Sequence, residues 1–590
     1  MNAPAAANDG MGCLVTGGTA RFRVWAPSAS QVRLEGDFTN WGTNPIAMGS
    51  EGSSGNWSVD GVSAAPGQMY KYIITTNGVS FERTDARALQ VRSSNAASAG
   101  YVVDNFPAVR QPFTTPPFQD FLIYQLHVGS FSGRNDGVPV RNNTATFLDL
   151  IDKLDYIRGL GFNAIALLPI TDAFADVGGA GEGYGPSDMF ASEDAYSSSP
   201  EKAVAELIQL IDAAHSKGLA IILDVVYNHG AQIDNRYWDY DGNTDGGGIY
   251  FIDGHDTQFG NGFAMWRREI KDFFLDNARL YLGDYRADGL RFDAVQYIQP
   301  DAVATIVQGL RSQFPDKYLI AEYNPDDPES AAGPVDPFGN LGFCATWDLN
   351  SPGQLIGCLN GSDVVNNLLR RIGNFSDPNQ WHQLAYLTGS HDQIFIGQQG
   401  LYFTQRFGGR FNGWARAKAR LAWAFNATLA ATPMLFMGTE GHIDTFWSPS
   451  LNDDDHRIDW LQVGDGIGAP MQQMVRDINQ LRWNYSALRS AGGVVVHIDC
   501  QNQVVGFKRY DMKGDVLLVV VNVGNGVWSA GDYGVNLLGD SGNWEEIFNS
   551  QAPVYGGIET VGNFGGPRGT SNGSLWINLP SWCVLVFQKL

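Results

Sequence analysis

The segment LAIILDVVYNH, residues 219–229, is apolar over its first five residues and polar at its end. Seven further segments have the same form, an apolar run of strand length that leads into loop residues; they begin at Phe121, Phe162, Asp288, Lys317, Gly342, Gln383 and Pro433. Near-continuous apolar runs are typical of parallel strands that are buried on both faces. Eight such strands are the number that closes a (β/α)8 barrel.

Amphipathic segments separate these strands. One of them carries apolar residues at helical spacing and then a glycine that would end the helix, namely Val204, Leu207, Leu210, Ile211 and Ala214, followed by Gly218. Alternation of strand and helix predicts a parallel sheet with helical crossovers. We therefore assign residues 114–490 to a catalytic (β/α)8 (TIM) barrel.

Both ends of the chain have a different sequence pattern from that of the barrel. Residues 1–113 contain short alternating strands and then a proline-rich stretch, which predicts a β-sandwich followed by a linker. Residues 491–590 return to strand patterns such as VVVHIDC and DVLLVVVNV, and predict a C-terminal all-β domain. The predicted fold class is a multidomain α/β protein in which two β domains flank the barrel.

Composition limits the partners of this 590-residue chain. It has 39 basic and 62 acidic residues, for a net charge of −23, which would repel nucleic acid and acidic membrane surfaces. Its aromatic content of 12% suits a neutral, polyhydroxylated ligand. The five cysteines form no CxxC pair, and no signal-like or membrane-spanning apolar run is present, so we expect reduced thiols and a cytoplasmic location.

Polar residues cluster where four of the predicted strands end. In chain order they are Asp224, Asn228 and His229, then Arg291 and Asp293, then Glu322, and then Ser390, His391 and Asp392. The loops at the C-terminal ends of barrel strands form the active site in this architecture. A single carboxylate at a strand end is more often a helix cap or a solvated loop residue. The carboxylates of Asp293, Glu322 and Asp392, gathered at one barrel mouth, would repel one another unless the arrangement served chemistry.

Two carboxyl groups of different protonation are what double-displacement glycoside chemistry requires, at a separation of about 5–5.5 Å for retention of configuration. Arg291 precedes Asp293 by two residues and therefore points to the same side of its strand. We expect its charge to keep Asp293 ionised and nucleophilic. Glu322, on the neighbouring strand, would protonate the leaving oxygen and then deprotonate the acceptor.

These four segments resemble the conserved regions of the α-amylase superfamily, glycoside hydrolase family 13, in order, in spacing and in the residues around each carboxylate. The resemblance implies that Asp293 is the nucleophile and Glu322 the general acid/base. It implies that Asp392 binds sugar hydroxyls and distorts the ring. It also implies a substrate-binding set made of Tyr184, Asp224, His229, Arg291 and His391.

The N-terminal stretch FRVWAPSASQVRLEGDFTNW, residues 22–41, resembles carbohydrate-binding module family 48. Within the superfamily, three features resemble branching enzymes: the tetrapeptide Ser390-His391-Asp392-Gln393, the tripeptide Ile458-Asp459-Trp460, and the C-terminal segment WEEIFNSQAPVYGG. Other segments differ. DVVYNH and AEYN are more similar to trehalohydrolases or isoamylases, and GTEGH departs from the branching-enzyme form.

The leading interpretation is a 1,4-α-glucan branching enzyme that cuts α-1,4 bonds and rejoins the chain through α-1,6 bonds in an α-glucan such as glycogen, amylose or amylopectin. A hydrolase of the same superfamily, of amylase, isoamylase or trehalohydrolase type, is the alternative. A non-catalytic glucan-binding protein is a third, which the retained carboxylates and Arg291 disfavour. No cofactor and no metal is predicted. Asn228 resembles the calcium ligand of some amylases, but no oxygen-rich loop of the kind that calcium requires is evident, so a hydrogen-bonding role is favoured. A monomer is favoured.

Aromatic residues in the long loop after the third barrel strand leave a question open. Trp238, Tyr240 and Tyr250 could form an extra glucan-holding surface, or they could pack inside the loop.

Overall fold

The computed structural model describes three successive regions of the chain. The described residues are 10–92, 98–104, 106, 110–138, 144–173, 183–251, 256–257, 259–324, 336–373, 375, 382–395, 400–448, 457–557 and 561–590. Part of the proline-rich stretch considered in the sequence analysis lies outside them.

The N-terminal region is a β-sandwich of two sheets. Its strands are β1 (Gly12–Thr16), β2 (Thr19–Trp25), β3 (Gln31–Gly36), β4 (Ile46–Ala47), β5 (Gly49–Ser50), β6 (Asn56–Val62), β7 (Met69–Thr76), β8 (Val79–Arg83), β9 (Val91–Arg92) and β10 (Ala99–Tyr101). One sheet has the order β1-β2-β6-β5, and the other has the order β4-β3-β7-β10-β9 with β8 beside β7. Tyr70 and Tyr72 are fully buried in its core, and both hydroxyls donate to the carboxylate of Asp85.

The central region contains a closed parallel barrel. The strands of the region are β11 (Ile123–Leu126), β12 (Ala164–Leu167), β13 (Thr171–Ala173), β14 (Pro186–Ser192), β15 (Ala220–Val225), β16 (Asp256–Thr257), β17 (Gly260–Asn261), β18 (Gly289–Phe292), β19 (Tyr318–Ala321), β20 (Ala345–Trp347), β21 (Gln383–Ala385) and β22 (Thr432–Phe436). The barrel order is β11-β12-β15-β18-β19-β20-β21-β22. Each of the eight predicted segments supplies one barrel strand, so the predicted fold class is confirmed.

Helices surround this barrel. They are α1 (Val128–Phe131), α2 (Phe147–Ile151), α3 (Leu154–Gly159), α4 (Ala203–Ser216), α5 (Arg268–Arg279), α6 (Pro300–Gln313), α7 (Ser351–Leu359), α8 (Val364–Ile372), α9 (His391–Ile394), α10 (Gly413–Thr428), α11 (Trp460–Gly464) and α12 (Gly468–Asn484). The apolar residues that predicted α4 are all buried, and Gly218 follows its end with a φ of +72°. None of the helices in the described ranges is long and apolar enough to cross a bilayer.

The C-terminal region is one antiparallel β structure. Its strands are β23 (Gly493–Asp499), β24 (Val504–Tyr510), β25 (Val516–Asn522), β26 (Trp528–Asn536), β27 (Asn543–Asn549), β28 (Arg568–Ser571), β29 (Ser574–Leu579) and β30 (Cys583–Lys589). They pair in the order β23-β24-β25-β30-β27-β28-β29-β26. No disulfide joins the five cysteines, all of which lie in the described part of the chain.

The long loop after β15 joins the barrel to the N-terminal sandwich. The Tyr240 hydroxyl donates to the carbonyl oxygen of Thr84, and the carboxylate of Asp241 accepts from the Ser28 amide. Tyr240 and Tyr250 are almost fully buried, whereas Trp238 is 40% exposed. Of the three aromatic residues whose role the sequence did not decide, Tyr240 and Tyr250 therefore pack inside the protein, and only Trp238 is exposed to solvent.

Candidate active site

The candidate site lies at the C-terminal ends of three adjacent barrel strands. Asp224 of β15 is the register partner of Arg291 of β18, because the two strands pair in parallel. Strand β18 pairs in turn with β19, with Phe292 opposite Ala321. Asp293 and Glu322 are the next residues on these two strands, so the register brings both carboxylates to the same rim.

A single guanidinium links three of the carboxylates. Nη1 of Arg291 lies 2.8 Å from Oδ1 of Asp224 and 2.8 Å from Oδ1 of Asp293. Nη2 lies 2.6 Å from Oε2 of Glu322. The Arg291 side chain is only 4% exposed, and its Cζ stands 4.3 Å from the centroid of the Trp347 ring. Asp293 therefore pairs with one terminal nitrogen of Arg291 and Glu322 with the other, so the guanidinium holds the two carboxyl groups close together.

The environment of Glu322 raises its pKa from the usual 4.5 to about 7. Burial is the main cause and the nearby charges of Asp293 and Asp392 add to it, while Arg291 and the Ala294 amide oppose it. That amide donates to Oε2 of Glu322 at 3.0 Å. A carboxyl group with this pKa is protonated below neutral pH and can exchange its proton near pH 7, as a general acid/base must.

Asp293 departs from the simple expectation. The charge of Arg291 does lower its pKa, as the sequence suggested, but burial outweighs that effect and the net pKa is raised above the ordinary value. For Asp392 the balance is reversed. Burial raises the pKa of Asp392, but His391 and Arg291 lower it by a larger amount, so the net pKa is depressed. The three carboxyl groups therefore differ in how readily they ionise.

Hydrogen bonds connect the predicted substrate-binding residues to this centre. The Tyr184 hydroxyl donates to Oδ2 of Asp224 at 2.6 Å. The Tyr184 ring lies 5.3 Å from the His391 ring and nearly parallel to it. Nε2 of His229 lies 2.8 Å from the Tyr184 carbonyl oxygen, and burial lowers the pKa of His229 to about 4.

Asn228 has a direct contact with the candidate nucleophile. Its Nδ2 donates to Oδ2 of Asp293 at 3.1 Å, and its Oδ1 lies 2.8 Å from Nδ1 of His229. Asp293 is therefore held on one oxygen by Arg291 and on the other by Asn228. The structure brings together all eight of the residues that the sequence placed in the site.

Sequence reasoning missed three features of the site. Gln125 in β11 accepts from the His391 amide and places its side-chain nitrogen 3.2 Å from Nδ1 of that ring. Trp347 in β20 covers the Arg291 guanidinium. Gln393 accepts from the amide and hydroxyl of Ser390, each at 2.9 Å, in a capping box that begins α9 and so orients His391 and Asp392. A glutamine inside the apolar run FLIYQL was the available signal for Gln125.

Comparison with known families finds matches along the chain. Three family models match: carbohydrate-binding module 48 (isoamylase N-terminal domain) at residues 10–88, the α-amylase catalytic domain at 135–245, and the α-amylase C-terminal all-beta domain at 495–589.

Curated relatives match over almost the whole length. The 1,4-alpha-glucan branching enzyme GlgB of Nitrosospira multiformis is 27% identical over 96% of this chain and 79% of its own. The protein of the same name from Mycobacterium tuberculosis is 27% identical over 96% of this chain and 78% of its own.

Solved structures share the fold at lower identity. The catalytic module of the glycogen-degrading pneumococcal virulence factor SpuA superimposes with a TM-score of 0.79 at 20% identity, over 98% of both chains. Pullulanase from Bacillus acidopullulyticus has a TM-score of 0.76 at 22% identity, over 98% of this chain and 75% of its own.

The contacts of Arg291 predict a pH-dependent stability change. Arg291→Gln leaves three carboxylates without their counter-charge, and loss of one partner from a buried ion pair costs about 3–5 kcal/mol of unfolding free energy. The deficit should be largest above pH 7 and should shrink as the pH falls, because protonated carboxyl groups no longer need the cation. Denaturant unfolding of the wild type and the variant at pH 5 and pH 8 measures the loss of unfolding free energy and its change with pH.

Arg268→Gln is the matched control for that experiment, since Arg268 forms an exposed ion pair with Asp272. Its loss should cost less than about 1 kcal/mol. An Arg291→Gln deficit that is equal at the two pH values would contradict the electrostatic account.

Proposed function

Because the chain belongs to the α-amylase superfamily, glycoside hydrolase family 13, we propose that it is a 1,4-α-glucan branching enzyme. The proposal covers both half-reactions: cleavage of an α-1,4 bond with retention of configuration, and transfer of the released chain to a glucan 6-hydroxyl. The observation that carries the chemistry is the joint hold of Arg291 on Asp293 and Glu322.

In the first half-reaction, a carboxylate oxygen of Asp293 attacks the anomeric carbon of the donor chain. The bond from that carbon to the glycosidic oxygen breaks, and protonated Glu322 gives its proton to the leaving oxygen. Arg291 and Asn228 hold the two oxygens of Asp293 in place for the attack. The products are a glycosyl ester on Asp293 and a shortened glucan.

In the second half-reaction, ionised Glu322 takes the proton of the acceptor 6-hydroxyl. The acceptor oxygen bonds to the anomeric carbon, and the ester bond to Asp293 breaks. Two inversions at the same carbon retain the α configuration. Asp392, whose low pKa keeps it ionised, would accept hydrogen bonds from sugar hydroxyls throughout.

Transfer rather than hydrolysis is supported by the relatives named as branching enzymes, which align with nearly the whole chain. It is also supported by the tetrapeptide Ser390-His391-Asp392-Gln393, which resembles that of branching enzymes. Its serine and glutamine form the cap that orients the other two residues. Hydrolysis differs only in that water attacks the glycosyl ester. The segments DVVYNH and AEYN, which resemble those of trehalohydrolases and isoamylases, favour a hydrolase as the second candidate.

The raised pKa of Glu322 predicts how the rate depends on pH. With a glucan donor, kcat/KM should fall as the pH rises through about 7, because the protonated acid is lost. With a maltosyl fluoride donor, fluoride leaves without a proton, so this basic limb should flatten. The two pH profiles are recorded on the same enzyme.

Glu322→Gln provides the companion measurement. It should lose about 10²- to 10⁴-fold in rate on glucan, the usual scale for positioned proton transfer, and much less in glycosyl-ester formation from the fluoride donor. An identical basic limb for both donors in the wild-type enzyme would remove Glu322 from the acid role.

Branching and hydrolysis give different products from amylose. A branching enzyme should abolish the iodine colour while reducing ends rise little and α-1,6 anomeric signals appear in the proton NMR spectrum. In the hydrolase alternative, reducing ends would rise in step with the loss of iodine colour, without an α-1,6 signal. Asp293→Ala is the control and should leave amylose unchanged.

A further inference from the structure

A cavity of about 580 Å³ lies next to the candidate active site, in the loops that follow β15. This volume is within the usual range for small-molecule sites. Among the described residues, its lining consists of Ala231, Gln232, Asn235, Trp238, Gly260 and Asn261, none of which carries a charge. None of these residues has a part in the chemistry described above.

The cavity wall is in contact with the catalytic network. The Gly230 amide donates to the Asn261 carbonyl oxygen at 3.1 Å, which joins the segment after β15 to β17. A Cβ atom at Gly260 would lie 3.2 Å from Cδ2 of His229. Beside it, exposed Phe259 places its ring 5.8 Å from the His229 ring. His229 in turn contacts Asn228, which donates to Asp293, so two residues separate the cavity wall from the candidate nucleophile.

Trp238 is held in place with part of its ring open to solvent. Its indole packs 5.7 Å from the Phe251 ring at an angle of 31°. Gly247, with φ at +94°, lies against the six-membered ring so closely that any Cβ atom there would overlap it. Both residues pack against the indole, while 40% of Trp238 stays exposed.

The chemistry of the lining fits a neutral sugar. An exposed indole offers an apolar face to the C–H groups of a pyranose ring, and its polar neighbours, Gln232, Asn235 and Asn261, carry amides that both donate to and accept from hydroxyls. The uncharged side chains of the described lining favour a neutral ligand over an ionic one. The buried Tyr240 and Tyr250 keep the loop anchored to the N-terminal sandwich, which fixes the position of Trp238.

We infer that this cavity is a glucan-binding site in which Trp238 stacks on a glucose residue several units away from the bond that is cleaved. The inference rests on the proposed activity on α-glucan, and it deepens that proposal by giving the enzyme a chain-length preference. Short oligosaccharides would fill only the cleft at Asp293, whereas longer chains would reach both places.

Binding to the full-length chain tests the site without turnover. In an Asp293→Ala background, titration calorimetry with maltoheptaose and maltotriose gives a dissociation constant for each. Adding Trp238→Ala should weaken maltoheptaose binding roughly three- to tenfold, on the scale of one aromatic contact, and leave maltotriose binding unchanged. Trp238→Phe should recover part of the loss, because it keeps an aromatic face.

Trp576→Ala is the matched control, since Trp576 is similarly exposed on β29 of the C-terminal region. It should leave both constants unchanged. Unaltered maltoheptaose binding in Trp238→Ala, or an equal loss for both oligosaccharides, would overturn the inference. Failure of the branching proposal is separate, because it is read from reducing ends and α-1,6 signals in the active enzyme and not from these constants.

Discussion

The hold of Arg291 on three carboxylates is the interaction on which the site depends. Placing several like charges in a buried pocket is costly unless a cation compensates them. Arg291 does so because β15, β18 and β19 are neighbours in register, which sets Asp224, Asp293 and Glu322 around one guanidinium. The closed barrel is therefore a requirement of the chemistry, since a shift of one residue in either pairing would separate the charges.

The carboxyl groups of this cluster differ in pKa. Glu322 has a pKa of about 7 because burial and its anionic neighbours outweigh Arg291. Asp392 has a depressed pKa because His391, held by Gln125 and by the cap at Ser390, lies beside it. An acid that can release its proton near neutrality next to a carboxylate that stays ionised is the asymmetry that retaining glycoside chemistry uses.

Much of this organisation could be predicted from the sequence, because strand ends are marked by a change from apolar to polar residues. The eight barrel strands and the gathering of Asp293, Glu322 and Asp392 follow from that pattern. The covering of Arg291 by Trp347 could not be predicted, since it depends on which side chains meet across the barrel. The pKa of Asp293 was similarly out of reach, because adjacency to Arg291 is visible in sequence whereas the degree of burial is not.

We propose that Asp293 forms a covalent bond to the sugar while Glu322 moves the proton. It is tested most directly by incubating the Glu322→Gln variant with a 5-fluoro-α-glycosyl fluoride, which needs no acid to react and leaves a slowly released ester. Digestion and peptide mass mapping should then find one glycosyl group on the peptide that contains Asp293. A label on any other residue, or an active enzyme that releases products of inverted configuration, would contradict the account.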